Sequence, residues 1–277
     1  IKALKDLKPE ERASINLKLK SGVKGVFNLI ATLGGGYVDK LLWDNELITT
    51  YFQRNSQLLA TYKGNNSGTD LESELRSHTD YDYSRTSTIS DIAMPATPGI
   101  NKRYYYFNQS HSATYNQVFR VGKNGELGIN AAYLNDRDER SNQSVTTTLL
   151  PDGSKNVVDE SFNGILHRNI ANGNITYMQN TERNYIKEQL KFDWLSTDGY
   201  SNIYAGEDII QENNVENYRL HNLFHLTSRT GSDKGVEFLS KINLEKKPHS
   251  LSVAPNLFPD VIMSEQMFQS AERRNIS

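Results

Sequence analysis

Residues 115–133 read YNQVFRVGKNGELGINAAY, and this stretch decides the fold class. On both sides of the short segment Gly122–Gly125, apolar and polar residues alternate nearly one by one. Because successive side chains of a β-strand point to opposite faces, such alternation predicts two half-buried strands. The intervening Gly122-Lys123-Asn124-Gly125 predicts a tight turn, so that the two strands form an antiparallel hairpin.

The same alternation recurs along the chain and predicts about nine strands, whose connections alternate between short and long. The connections after the second, fourth, sixth and eighth strands are tight: 54–56, 122–125, 181–184 and 231–235. The others are mostly long and polar: 65–102, about 136–170, 196–216, and onward from 248. Bacterial outer-membrane barrels have short periplasmic turns and long extracellular loops. We therefore predict that the long connections lie at one end of the sheet and the four tight turns at the other.

The predicted strands have one apolar and one polar face. They run to about ten to seventeen residues, whereas soluble strands usually have about five or six and a tilted membrane strand needs about nine to eleven. Hydrocarbon cannot solvate Lys187, Lys191 or Arg219 on the polar face, but a watery lumen can. The sequence thus favours an all-β fold, an antiparallel transmembrane β-barrel. The following residues are expected to face lipid: Phe27, Leu29, Tyr105, Phe107, Leu127, Ile129, Phe192, Trp194, Phe224 and Phe238.

Composition excludes several classes of protein. The 277 residues carry a formal net charge of −2, which offers no electrostatic basis for binding nucleic acid. The chain has no cysteine, so it has neither disulfides nor a thiolate site. No stretch approaches the ~20 apolar residues of a membrane helix.

The opening residues add a family resemblance. The stretch 4–13, LKDLKPEERA, is followed by the alternating 15–20, INLKLK, then by Gly25-Val26-Phe27 and the glycine run Gly34–Gly36. This order resembles the junction between plug and barrel in TonB-dependent receptors of Bacteroidetes-type bacteria. The resemblance implies that residues 1–22 are the end of a plug domain and its junction, and that residues 23–277 are the first part of an outer-membrane barrel. That barrel would have 22 strands and a plugged lumen.

The same resemblance implies a function and partners. The chain would belong to a receptor in the cell outer membrane that takes up a bulky nutrient with energy from the inner membrane, without enzymatic activity or a cofactor. Its expected partners are an inner-membrane energy-coupling protein acting through the plug, a surface lipoprotein and outer-membrane lipid. A strand number of about nine is odd, whereas complete single-chain bacterial barrels have even numbers, so we expect a segment of a larger barrel.

Several candidate sites are weighed against simpler explanations. The run Tyr104–Phe107 could be a binding platform, but an aromatic girdle is favoured because Tyr105 and Phe107 would share the lipid face. The acidic residues of the first long loop lack the spacing of a calcium loop and are expected to be solvated: Glu72, Glu74, Asp80, Asp82 and Asp91. The charged run 136–140, DRDER, is expected to be a strand end outside the membrane.

No catalytic, cofactor or metal site is predicted, and no substrate-binding residue can be named. His221 and His225 share a strand face but lie about 13 Å apart along it, too far to share a metal. Glu207 and Asp208 are expected in a loop, without the apolar surroundings of a catalytic carboxylate pair. Gly34–Gly36 predicts a bulge or a close backbone approach rather than a phosphate loop, because no Lys-Ser/Thr pair follows it.

Two other classes of protein remain as alternatives. A soluble all-β glycan-binding module of the cell surface would explain the tyrosines and polar loops, but not the long strands. A small outer-membrane barrel with an enzymatic or adhesive role would need an even number of strands and a closing strand.

Overall fold

The hairpin predicted around Gly122–Gly125 is part of one large antiparallel sheet. The computed structural model describes residues 25–72, 91–101, 104–230, 234–257, 260 and 264–276. Within these residues, ten strands pair in chain order, each with its sequence neighbours, and there is almost no helix. The strands are β1 Val26–Val38, β2 Lys40–Gln53, β3 Ser56–Asn65, β4 Phe107–Val121, β5 Gly125–Leu149, β6 Lys155–Asn180, β7 Asn184–Tyr204, β8 Asp208–Arg229, β9 Gly235–Ala254 and β10 Met267–Ile276. The expected all-β antiparallel fold is confirmed, while the alternating segment 15–20 and the boundary after residue 22 lie outside the described residues.

The described residues contain ten strands, one more than the about nine expected from sequence. The tenth strand, β10, pairs with β9 from Met267↔Val253 to Ile276↔Leu244. Its sequence MFQSAERRNI has no period-2 alternation of apolar residues, which is why the pattern did not reveal it. Ten is even, so among the described residues the argument from an odd strand number does not apply. Within the described residues the sheet is open, because β1 and β10 do not pair with each other.

The ends of the sheet are as predicted, but two of the long gaps are strands rather than loops. β5 and β6 pair continuously as far as Leu149↔Lys155, so only residues 150–154 form their turn. β7 and β8 likewise pair as far as Tyr204↔Asp208. Side chains at 141–149 are exposed on both faces of β5, so neither face requires apolar residues there. The backbone ladder continues there without the alternation that marks a half-buried strand.

The register confirms that the predicted apolar residues share one face of the sheet. Phe27 pairs with Tyr51, Ile129 with Ile175, and Phe238 with Leu226, so the apolar side chains line up across neighbouring strands. Tyr105 is the exception among the ten, because it lies in the turn that precedes β4. We call this side the apolar face and the opposite side the polar face.

Part of the β3–β4 connection packs on the polar face. Leu71 of this connection is buried against Ala132, Leu134 and Ile170, with Leu195 packed beside them. These sheet residues alternate with the apolar-face set, so they belong to the polar side. The main buried apolar cluster therefore exists because the chain covers its own polar face at this point.

Candidate functional site

A buried carboxylate, Asp136 of β5, is the centre of a hydrogen-bond network on the polar face. The Tyr106 hydroxyl lies 2.9 Å from Asp136 Oδ1 and 3.0 Å from Oδ2. The Ser110 hydroxyl donates to Oδ1 at 2.6 Å, and Arg168 donates through Nη2 to Oδ2. Asp136 is only 3% exposed. Its charge is thus compensated by an arginine and two hydroxyl groups, as burial of a carboxylate requires.

Arg168 of β6 joins this centre to the β3–β4 connection. Its Nη1 donates to Glu72 Oε2 at 2.6 Å while its Nη2 binds Asp136. The side chains of Glu72 and Asp136 are 12% and 3% exposed. One guanidinium therefore connects a segment outside the strands with the interior of the sheet.

Two asparagines hold the start of the same connection. Asn108 donates through Nδ2 to Asn65 Oδ1 at 2.8 Å and to Ser110 Oγ at 2.7 Å. Its Oδ1 accepts the backbone N–H of Gly68 at 2.9 Å. Asn65 and Asn108 are both buried. The chain leaving β3 is thus fixed to β4 by side-chain amides, next to the Asp136 centre.

The structure corrects the expectation for the aromatic run Tyr104–Phe107. Tyr106 is 3% exposed and binds Asp136, whereas Tyr104 is 78% exposed. Since β4 begins at Phe107, Tyr105 and Phe107 do not share a strand face. The polar alternation of Asn108 and Ser110, extended back by one step, places position 106 on the polar side and could have indicated Tyr106.

Burial, and then the neighbouring Asp136 carboxylate, raises the pKa of Tyr106 well above the ordinary tyrosine value of 10.0. In the unfolded chain this hydroxyl ionises near pH 10, while in the folded protein it stays protonated. Its contribution to stability is therefore complete below pH 10 and falls as the pH rises further.

Above pH 10, the free energy of unfolding of the parent protein should fall with pH more steeply than that of the Tyr106→Phe variant. The difference between the two slopes should be about 1.4 kcal/mol per pH unit. The measurement is the free energy of unfolding between pH 9 and pH 11.5. Parallel slopes for the two proteins would show that Tyr106 ionises equally in both states.

Glu72 and the charged run 136–140 are less solvated than expected, whereas Asp91 is exposed, as expected. Glu72 is ion-paired with Arg168, and Asp91 accepts a hydrogen bond from Asn213 at 3.3 Å. Glu74, Asp80 and Asp82 lie outside the described residues. The run 136–140 is not a strand end, because β5 continues to Leu149, and Asp138 is buried against Arg140 at 2.6 Å. Tertiary contacts with β6 and with the connection, which alternation cannot reveal, account for both corrections.

The two histidines have separate partners, in agreement with their predicted separation. His221 is hydrogen-bonded to Asn243, and His225 to Glu237 at 2.9 Å. No group of three or more His, Asp or Glu side chains in the described part of the chain is arranged to hold a metal ion. Glu207 and Asp208 lie at the exposed turn between β7 and β8.

The glycine run lies within β1 and lines a groove of about 590 Å³ at the β1–β2 edge. The register with β2 is continuous, so there is no bulge. A Cβ atom at Gly34 would lie 3.1 Å from the carbonyl oxygen of Asp44. Of the two strand interpretations, the close backbone approach is therefore correct.

A second polar chain crosses the polar face from β6 to β9. Asn172 donates to Asp193 at 2.7 Å, and Arg219 donates to Glu245 at 2.9 Å. Lys247 Nζ lies 3.1 Å from the same Glu245 oxygen. Ionic and amide groups thus continue along most of this face.

The apolar face changes character sharply along the strands. Across β5 to β8, a mainly aromatic row on this face consists of the paired residues Tyr133, Ala171, Trp194 and Tyr218. Two residues further along each strand, the paired residues are Asn135, Asn169, Ser196 and Glu216. On the other side of this aromatic row, apolar residues predominate from Trp194 back to Ile186, about nine residues, which is the length of a tilted membrane strand. Glu188 and Asn222 interrupt this band, and they are hydrogen-bonded to each other. We call this region the apolar band.

Other aromatic groups lie near the same boundary on the first strands. Trp43 stacks on His111 with ring centroids 5.2 Å apart, and the Tyr62 hydroxyl is hydrogen-bonded to His111 Nδ1 at 2.9 Å. The Tyr133 hydroxyl donates to Asn169 at 2.9 Å. Aromatic bodies with polar tips therefore mark the edge of the apolar band, as such side chains do where an apolar medium meets water.

Comparisons with known proteins add no family. No family model matches the chain, and no curated protein matches it at a significant level. Among the described residues, no helix is long and apolar enough to cross a membrane.

Proposed function

We propose that this chain is part of an outer-membrane β-barrel receptor that takes up a bulky nutrient with energy supplied from the inner membrane. The apolar band is the observation that carries the proposal. Large apolar side chains remain exposed on one face, including Phe27 at 63%, Phe238 at 54% and Phe192 at 43%. An exposed apolar surface of this extent marks an interaction with lipid or protein.

The geometry of the band favours lipid over a protein partner. Across β5 to β8 it is about nine residues long, stays in register between neighbouring strands, and ends at the row that contains Tyr133, Trp194 and Tyr218. Outer-membrane barrels have an apolar band about 25 Å tall with aromatic girdles. Arg219 and Lys247 lie on the opposite face, which a barrel would turn toward its interior, while Glu188 is a charged group within the band.

The receptor function rests on the resemblance of residues 4–20 and 25–36 to the plug-to-barrel junction of TonB-dependent receptors. The barrel of such a receptor would have 22 strands, to which this chain contributes ten or more. An inner-membrane energy-coupling protein would act on the plug, and a surface lipoprotein would help to present the nutrient. The chain itself would bind and guide, without covalent chemistry.

We expect single cysteines on alternate residues of β7 to differ in their access to lipid. The chain has no cysteine, so each introduced thiol carries a fluorescent label uniquely. In vesicles containing brominated lipids, a label at Phe192→Cys should be quenched strongly, whereas a label at Lys191→Cys should be quenched little. A chain that stays soluble and monodisperse without detergent, with neither label quenched, would support the glycan-binding module instead.

A further inference from the structure

A short segment of the β3–β4 connection, residues 91–95, lies across the polar face of β6, β7 and β8. We call this segment the strap. The backbone N–H of Ala93 donates to Gln211 Oε1 of β8 at 2.8 Å. Ile92 is only 5% exposed. The strap is thus seated far along the sheet from β3 and β4, the strands that its connection joins.

Two glycines make room for the strap. Gly164 pairs with Ser201, and Leu166 pairs with Gly199, so the two glycines are diagonal neighbours on the polar face of β6 and β7. A Cβ atom at Gly199 would lie 2.7 Å from Ile92 Cδ1, and one at Gly164 would lie 3.1 Å from Met94 Cε. Real Cβ atoms do not approach as closely as the first of these distances. The hollow that receives Ile92 and Met94 therefore depends on the missing side chains.

Seating the strap also has an unfavourable component. Asn213 of β8 is 5% exposed, and its Oδ1 has no hydrogen-bond partner among the described residues. This oxygen and the Ile92 side chain both border the position that a Cβ atom at Gly199 would take. A buried acceptor beside an apolar side chain loses its hydrogen bonds to water without replacement. The strap is therefore held mainly by burial of its apolar side chains and by few hydrogen bonds. The desolvated Asn213 oxygen opposes the seated position.

From this balance we propose that the strap is a detachable cover, which leaves the polar face as a unit while the sheet stays folded. Its release returns water to Asn213 and uncovers Ser201 and Gln211, which are neutral hydrogen-bonding side chains. The Glu72–Arg168 ion pair lies on the other side of the connection and is not broken by this movement. The strap thereby controls access to a neutral polar patch, independently of whether the apolar band faces lipid.

Thiol labelling of Ser201→Cys tests the proposal on the full chain. Ser201 is fully buried and hydrogen-bonds through its hydroxyl to Gln211, the residue that holds the strap. Because the chain has no other cysteine, a methanethiosulfonate reagent reports only this position. We expect complete labelling under native conditions. Labelling that occurs only at denaturant concentrations that unfold the sheet would overturn the proposal.

Two further substitutions in the Ser201→Cys background should act in opposite directions. Ile92→Ala removes the apolar group that seats the strap, and should accelerate labelling at least tenfold. Asn213→Val removes the unpaired oxygen, and should slow labelling severalfold, since the exposed Asp91 can bind water instead of the Asn213 amide. Ile170→Val is the control, because it weakens a buried cluster away from the strap and should leave the rate within twofold. Equal acceleration by Ile92→Ala and Ile170→Val would indicate global opening and contradict the proposal.

A disulfide provides an independent measurement, which does not need the Ser201→Cys variant to fold. Ile92 Cγ1 lies 3.1 Å from the Cβ position at Gly199, so cysteines at 92 and 199 fall near the Cβ–Cβ separation of a disulfide, about 3.5–4.5 Å. In the Ile92→Cys/Gly199→Cys variant, oxidation should slow hydrogen exchange of the Ala93 amide at least tenfold relative to the reduced form. Equal exchange in the two forms would show that the strap does not open on its own.

Discussion

Replacing Arg168 by Met should destabilise the folded sheet by about 3–5 kcal/mol, because it leaves the buried Asp136 carboxylate without its counter-ion. Arg168 joins Asp136 of β5 to Glu72 of the β3–β4 connection. Asp136 would keep only the hydroxyl groups of Tyr106 and Ser110. Two hydroxyl donors do not compensate a carboxylate that is 3% exposed. The measurement is denaturant unfolding followed by fluorescence of the two tryptophans.

Arg137→Met is the matched control for this substitution. Arg137 is adjacent to Asp136 in sequence but points to the other face, where it pairs with Glu139 at 3.2 Å. The two side chains are 42% and 53% exposed, so solvent screens the pair, and its loss should cost about 1 kcal/mol or less. If the two variants lose equal stability, the buried network is not what holds the connection to the sheet.

Replacing Ile129 by Arg should cost about 2–4 kcal/mol in a bilayer if this residue lies near the midplane, and replacing Asn130 by Arg far less. Ile129 lies within the apolar band and pairs with Gln117 and Ile175. Asn130 lies on the polar face between Asn116 and Asn174, where an arginine can find water or amide oxygens. A shift of one residue along β5 thus moves the introduced arginine to the opposite face of the sheet, and so into a different medium.

The measurement is the free energy of unfolding of both variants in lipid vesicles, with the fraction reaching the outer membrane of cells as a second readout. We expect Ile129→Arg to lower both strongly and Asn130→Arg to change them little. Equal effects at the two positions would contradict a lipid-facing apolar band. A large effect of Asn130→Arg alone would mean that the polar face is packed more tightly there than an aqueous interior allows.

Much of the candidate site was beyond prediction from sequence. Tyr106, Asp136 and Arg168 are separated by tens of residues, and Glu72 and Arg168 by 96. Periodicity assigns each residue to a face, but not to a partner on another strand. The mixed charges of the run 136–140 predict a strand end outside the membrane. Only the register with β4 and β6 shows that two of its carboxylates are buried.

The sequence by itself determined the all-β class, the antiparallel hairpins at the tight turns, and the face on which each residue of the half-buried strands lies. These features are local, because alternation and turn residues act over a few positions. The tertiary structure alone decided how far β5 to β8 extend, that β10 exists, and that described parts of the β3–β4 connection pack on the polar face. The physical reason is the same in each case. Where both faces of a strand are polar, or a loop packs on distant strands, hydrogen bonds and burial depend on partners that no local pattern encodes.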